Sequence, residues 1–384
     1  MPVKKYEENK YIFISKKSYK QEKNMYIKNV VLENFRNYKN QKVEFCDNIN
    51  IIYGDNAQGK TNIIESIYLC SVGKSFRAKK DSDLIKFNEM KAKVEINFVK
   101  KDREGKINAE IDDHKVFFIN KVKQNKISDI IGKINCVIFT PDDIDIIKDG
   151  PQRRRKFIDM MISSLRPNYL HLLNNYNKVI EQRNNYLKQI KLEGKPEEML
   201  EVWDEQLAEL SSKIFEYRNN YIEKIKENIG DIHKMITNCG YNEEEIKIKY
   251  ISCGNTKESF LNNMQKTRKI DIQRGYTSIG THRDDIIIYI NHKPVAVFGS
   301  QGQQRTVVLS LKLSEIKIVA EEIGDTPILL LDDFMSELDE KRRTVLLEKI
   351  KDYQVIITCT DKININARKK EIYFVENGIC KKNN

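Results

Sequence analysis

Eight consecutive residues, Gly54-Asp55-Asn56-Ala57-Gln58-Gly59-Lys60-Thr61, have the spacing of a loop built to hold phosphate groups. The two glycines let the chain turn so that successive backbone N–H groups face one anion. Lys60 is placed to reach the β- and γ-phosphates of a nucleoside triphosphate and the Thr61 hydroxyl to ligate Mg²⁺, with Asn62 next along the same turn. A second centre is Ile328-Leu329-Leu330-Leu331-Asp332-Asp333, an apolar run ending in two carboxylates. On a buried parallel strand that ending puts Asp332 in the Mg²⁺ shell and Asp333 beside the attacking water. Taken alone, such a run is more often a plain strand end; the phosphate loop gives it a role. Third, Ser300-Gln301-Gly302-Gln303-Gln304-Arg305 opens a stretch of helical period at 306–322. Ser300, the flexible Gly302 and the free N–H groups of that helix make another anion site. Because the loop at 54–61 already holds the phosphates of its own lobe, a second γ-phosphate site implies a second subunit.

The elements that must carry these residues follow from periodicity. Residues 26–32, 43–45 and 49–53 read as strands and 61–70 as a helix, so the loop stands in the order strand, glycine turn, helix. Further strands are expected at 91–99, 107–111, 116–119 and 135–139, the last running into the turn-like Thr140-Pro141-Asp142-Asp143. After Gly150-Pro151, apolar residues from Tyr169 to Ile190 recur at helical spacing as far as Gly194-Lys195-Pro196. Beyond that break, Trp203, Leu207, Leu210, Ile214, Tyr217 and Tyr221 step by four and three in turn, and Ile225, Ile229 and Ile232 extend the seam. The pattern predicts an antiparallel helix hairpin forming an arm, the other reading being two core helices of a compact lobe. A strand at 246–250, a helix near 257–268 and a renewed α/β pattern at 285–290 follow. The expectation is an α/β P-loop ATPase head split by an inserted helical arm. Residues 1–24 are an extension, disordered or ahead of a true start at Met25; 25–150 form the first half of the head, 151–269 the arm and 270–384 the second half.

The 384 residues carry 67 Lys and Arg against 56 Asp and Glu, a net charge of +11, and 40% are hydrophobic, enough to fold. No apolar run approaches the ~20 residues that cross a bilayer, and the charged N-terminus does not resemble a signal peptide, so a soluble cytoplasmic protein without membrane contact is expected. Seven cysteines stand singly and the five histidines lack metal spacing, which argues against disulfides or a protein-only metal site. Any metal should arrive with a phosphate. The positive charge suits an acidic partner such as DNA, and equally a Lys-rich solvated surface. Arg153-Arg154-Arg155-Lys156, with Lys74, Arg77, Lys79 and Lys80, is the place to expect contacts to a DNA backbone; an intramolecular role or plain surface charge is the alternative. No base-reading module is recognisable, so binding should be independent of sequence.

Ser300-Gln301-Gly302-Gln303 resembles the signature loop of the ABC-type ATPase heads of the SMC and double-strand-break-repair family, which completes the ATP site of the opposing monomer. Six motifs in order resemble, more closely, those of the RecF family of bacterial recombination mediators: Leu32 to Tyr38, the loop at 54–61, Pro-Gln-Arg-Arg-Arg-Lys at 151–156, Gly-Thr-His-Arg-Asp-Asp at 280–285, residues 300–306 and residues 330–339. The similarity runs from about Met25 to the C-terminus. It implies that Arg36 approaches the nucleotide, that Ser300, Gly302 and Gln303 contact the partner's γ-phosphate, and that 336–339 line a dimer interface. It further implies ATP and Mg²⁺ as cofactors, an ATP-dependent homodimer on single-stranded, gapped or junction DNA, RecR and RecO as partners, RecA loading, a part in SOS induction, and a place at the nucleoid. The general ABC pattern has Glu where this chain has Asp333, and a switch histidine after 355–358, where this chain has Thr358-Cys359-Thr360. RecF-like proteins share both differences. A shorter carboxylate and no histidine predict slow, DNA-stimulated hydrolysis that times a switch, rather than a nuclease, helicase or small-molecule kinase. No glutamine is assigned to the Q-loop. The competing classes are an SMC-like chromosome head and another P-loop ATPase. The first is disfavoured because only about 240 residues separate Thr61 from Ser300, too few for a long coil.

Overall fold

A computed structural model describes residues 25–237 and 244–383; the expected extension at 1–24 and Cys239 lie outside the described residues. The first part of the chain forms β1 (Tyr26–Phe35), β2 (Tyr38–Glu44), β3 (Ile49–Tyr53), α1 (Lys60–Val72), β4 (Ala92–Lys100), β5 (Arg103–Ile111), β6 (Lys115–Ile119), β7 (Val122–Lys123) and β8 (Cys136–Phe139). Helices follow: α2 (Asp145–Lys148), α3 (Pro151–Leu165), α4 (Pro167–Glu193) and α5 (Leu200–Thr237). Next come β9 (Ile246–Ile251), α6 (Lys257–Arg274), β10 (Asp285–Ile290), β11 (Lys293–Pro294) and α7 (Val295–Phe298). The chain closes with α8 (Gln301–Ile323), β12 (Ile328–Asp332), α9 (Glu340–Ile350), β13 (Val355–Cys359), β14 (Lys370–Glu376) and β15 (Ile379–Lys382).

Two six-stranded sheets make the nucleotide lobe. One has the order β2-β1-β4-β5-β6-β7 and is antiparallel throughout. The other, β15-β14-β3-β13-β12-β8, is parallel except for β15 at its edge. Its central strands are apolar and buried on both faces, as a covered parallel sheet requires. Alternation along β12 divides the core: Ile328 and Leu330 pack with Ile63, Ile64 and Ile67 of α1, whereas Leu329 and Leu331 pack on the side of Val307 and Leu311 of α8. α1 is buried nearly all round, wedged between the two sheets. This is the expected α/β head, with β3 and β12 ending at one sheet edge.

The helical region differs in three respects from the pattern read in the sequence. Ahead of the periodic run read from Tyr169, residues Pro151–Leu165 form a helix of their own, and Pro167, with no N–H to continue it, opens α4 after Arg166. The hairpin of α4 and α5 is not a bare arm: Tyr169, Tyr176, Leu207, Ile214 and Tyr221 share one continuous core with α8 and β13. Further out, Arg183 is fully buried and ties the hairpin to α6, donating to Asp204 at 2.7 Å, Asp271 at 2.8 Å and Thr277 at 2.9 Å. Finally, β10, expected to rejoin the head, pairs with β9 and β11 in a separate three-stranded antiparallel sheet beside α5 and α3.

Candidate functional site

Parallel strands place their C-terminal ends together, and the phosphate loop leaves β3 on the same edge where β12 ends in Asp332. Two glycines are required by contact as well as by dihedral. Gly54 (φ 149°) has the Val375 carbonyl 2.3 Å from where a Cβ would stand, and Gly59 (φ 116°) has Asn37 Nδ2 at 2.5 Å. Lys60 begins α1, and its buried ammonium donates to the carbonyls of Gly54 at 2.6 Å and Asp55 at 3.0 Å. The loop encloses a cavity of about 280 Å³ lined by Asn56 to Asn62, Arg77 and Asp333.

At the floor, the Thr61 hydroxyl donates to Asp332 Oδ1 at 2.7 Å, and the Thr358 hydroxyl donates to the same oxygen at 2.9 Å. Burial pushes the Asp332 carboxyl above its usual range, opposed by these two hydroxyls. Thr358 also accepts from the Asp333 N–H at 3.0 Å, so one side chain fixes both carboxylate residues. Asp333 itself turns through a left-handed backbone (φ 48°), which aims its side chain into the cavity instead of continuing the strand. A hydroxyl and a carboxylate in contact are hard oxygen donors and fit Mg²⁺, whose remaining ligands come from water and phosphate. Among the described residues no group of three His, Cys, Asp or Glu could hold a metal unaided, the six described cysteines are free, and no helix is long and apolar enough to cross a membrane.

Arg36, which the resemblance brings toward the nucleotide, does not line the cavity. Its guanidinium makes a two-pronged pair with the buried Glu65 of α1, at 2.8 and 2.7 Å, and donates to the Asp83 carbonyl at 2.5 Å. The arginine in the cavity wall is Arg77. Sequence reasoning also missed Asn37, which donates to the Gln58 carbonyl at 2.7 Å and accepts from Asn62 at 2.8 Å, and Tyr38, which donates to the Gly59 carbonyl at 3.1 Å. The motif Leu32 to Tyr38 was the available signal for a shaped loop there, and Asn34 and Arg36 within it adopt left-handed backbone.

The signature residues are built as a helix start. Ser300 caps α8, its hydroxyl accepting from the Gln303 N–H at 3.2 Å while Gln303 Oε1 accepts from the Ser300 N–H at 2.9 Å. Gln303 also donates to Glu244 at 2.8 Å. Arg342 of α9 holds the loop from beneath, donating to Thr306 at 2.8 Å and the Gly302 carbonyl at 3.0 Å, and it pairs with Asp339. Ser300, Gly302 and Gln303 do not line the 280 Å³ cavity.

The basic run at the start of α3 is mostly engaged within the chain. Arg153 pairs with Asp149 and Asp145, Arg154 makes a two-pronged pair with Asp285 at 2.7 and 3.1 Å, and Arg155 donates to the Asp284 carbonyl at 2.7 Å. Lys156 is exposed. The run at 280–285 is thereby explained: Asp284 also binds Arg218 at 3.0 Å and Tyr250 at 2.6 Å, and His282 Nδ1 shares a hydrogen bond with the Tyr176 hydroxyl at 2.7 Å.

The sequence profile described as the RecF/RecN/SMC N terminal domain matches residues 26–381. A DNA replication and repair protein RecF of Clostridium perfringens is 44% identical over 343 residues, covering 88% of this chain and 93% of its own length. RecF of Clostridium tetani is 42% identical over 372 residues, 94% of this chain and 100% of the relative. Among solved structures, that of the recombination mediator protein RecF-ATPrS in the RecFOR pathway superposes with a TM-score of 0.88 at 41% identity, covering 94% of this chain and 99% of that one. An Smc head from Pyrococcus furiosus, 19% identical with a TM-score of 0.54 over 93% of this chain and 96% of that one, shares the fold alone.

Proposed function

This chain belongs to the RecF/RecN/SMC family and, within it, to the RecF proteins of DNA replication and repair, and from that premise we propose that it is an ATP-driven dimer that clamps DNA. One observation carries the reading. Each chain holds a phosphate cavity on one surface and a capped signature helix outside that cavity, so two copies related by a two-fold axis complete two sites. The RecF-ATPrS relative supports ATP as the nucleotide.

In such a site the loop N–H groups and Lys60 bind and orient the phosphates, while Thr61 and Asp332 hold Mg²⁺. Bound MgATP supplies the electrophilic phosphorus and a Lewis acid that neutralises developing charge. Asp333 accepts a proton from the attacking water, with Thr358 fixing its backbone. Ser300 and the N-terminal N–H groups of α8 meet the partner's γ-phosphate, so dimerisation reads the presence of ATP and slow hydrolysis ends it. DNA is bound without regard to sequence at gaps or junctions, through phosphate contacts whose affinity falls with salt. RecR and RecO are the partners that family membership suggests, with RecA loading and SOS induction the downstream steps and the nucleoid the place of action.

Sedimentation of the purified chain with and without ATP and Mg²⁺ tests this. A dimer that needs both, and that Lys60→Ala abolishes, is expected; a monomer at saturating ATP, or a dimer indifferent to ATP, contradicts the reading.

A further inference from the structure

A second cavity, of about 500 Å³, lies between the nucleotide lobe and the helical region. Its walls are the segment 74–76 that follows α1, the facing sides of α3 and α4, and at the base Arg218, Thr281 and His282. Lys74, Arg155 and Lys156 all face it, and none of the three makes an ion pair among the described residues. Arg155 is half-buried, and its hydrogen bond goes to the main-chain carbonyl of Asp284. Burial and the neighbouring Arg218 hold its guanidinium below the usual range, opposed by the nearby carboxylates of Asp159, Asp284 and Asp285.

The carboxylates nearby are shared with other donors, and only Asp284 Oδ1 is buried without a hydrogen-bond partner among them. Asp159, in the wall, accepts from Arg218 at 2.9 Å and from the Tyr169 hydroxyl at 2.5 Å; Asp284 serves Arg218 and Tyr250, and Asp285 serves Arg154. His282 is held neutral by burial and adds only a polar surface. Ser163, Ser164, Asn174 and Asn177 add to the polar part of a lining that is otherwise apolar, with Tyr68, Val72, Phe76, Met160, Leu170 and Leu173. A partly desolvated cation whose neighbouring carboxylates are shared with other donors can still gain from an anion with several acceptor oxygens.

The position of Lys74 gives the cavity a second meaning. Three residues on, Arg77 lines the ATP cavity, so the segment 74–77 spans both. Ser75, between them, donates to Glu65 of α1 at 2.5 Å and accepts from the N–H groups of Arg77 at 2.9 Å and Ala78 at 2.8 Å. The segment is thus pinned to the helix that begins with Lys60 and Thr61.

We propose that this inter-lobe cavity is a phosphate-binding site and that the segment 74–77 couples it to the ATP cavity. The phosphate comes from a DNA backbone or from a free polyphosphate; only the choice of carrier rests on the DNA-binding function proposed above. The test uses the full chain with its ATP cavity filled by ATPγS and Mg²⁺, so that the loop at 54–61 does not contribute. Binding of a gapped duplex and stabilisation by tripolyphosphate are measured for wild type, for the exposed pair Lys74→Gln/Lys156→Gln, for Arg155→Gln, and for Arg155→Lys, which keeps the charge. An unchanged melting temperature certifies each fold; ATPγS affinity should rise when the duplex or tripolyphosphate is bound, and that rise should be lost in the double variant, whereas an ATPγS affinity indifferent to the anion removes the coupling.

The expected result is at least a tenfold loss of DNA affinity in the double variant and in Arg155→Gln, with partial rescue by Arg155→Lys. The slope of log affinity against log salt should shrink by about 1 to 2. Loss confined to the DNA arm assigns the carrier to the duplex, and loss confined to the tripolyphosphate arm assigns it to a free polyanion. If wild type binds DNA and no variant changes either arm, the site does not exist while the clamp reading stands. If wild type binds no DNA, the clamp reading falls and the tripolyphosphate arm alone decides for or against the site.

Discussion

Asp333 and His282 show how the same chain uses titratable groups for opposite ends. Asp333 lines the ATP cavity with its backbone held by Thr358, a geometry for polarising water. If Asp333 is the proposed proton acceptor, Asp333→Asn is expected to slow turnover about 100-fold or more while the ATP-bound dimer persists, read by steady-state phosphate release beside sedimentation. His282 is buried against Tyr176, and burial lowers its pKa from 6.5 to about 4. Its folded pKa lies below the unfolded value, so the stability of the neutral form is whole above pH 6.5 and is lost as pH falls toward 4. By pH 5 the loss should be about 2 kcal/mol. Urea melts at pH 7 and pH 5 should show it, and His282→Gln should flatten that difference; an equal pH response in the variant removes His282 as the cause. Legibility at this scale follows sequence distance. The loop at 54–61 and the cap at Ser300 are local backbone requirements written in adjacent residues. Arg36 and Arg154 find their carboxylates at Glu65 and Asp285, distant in sequence, so their engagement could not be read.

Helices and strands were legible in kind and less so in company. The buried runs at β3, β12 and β13 and the seam of α5 fall where periodicity puts them, because burial on one or two faces dictates the pattern. The strand β10 was equally visible, yet its place in a small sheet with β9 depends on pairing that period alone does not encode. The hairpin's attachment to α6 was hidden for the same reason, since Arg183, Asp204 and Asp271 come from three helices. That cluster makes a stability prediction. Arg183→Ala leaves two buried carboxylates short of their partner, and should cost about 3–5 kcal/mol, with Arg268 retaining only part of Asp204. Denaturant unfolding of the variant within 1 kcal/mol of wild type would show that the helices are held by apolar packing alone.

At the scale of the molecule, the phosphate-loop cavity and the capped start of α8 are both present in one chain and do not meet there. The cavity of residues 56–62, Arg77 and Asp333 has its phosphate donors, and the capped start of α8 stands apart, braced by Arg342. Everything proposed about clamping depends on these two meeting between chains. The most direct measurement is ATP affinity and oligomeric state, side by side, for Ser300→Arg with Mg²⁺ present. The account predicts that this variant binds ATP as tightly as wild type and sediments as a monomer at every nucleotide concentration. Dimerisation like that of wild type, or loss of ATP binding by the monomer, would contradict a site completed in trans.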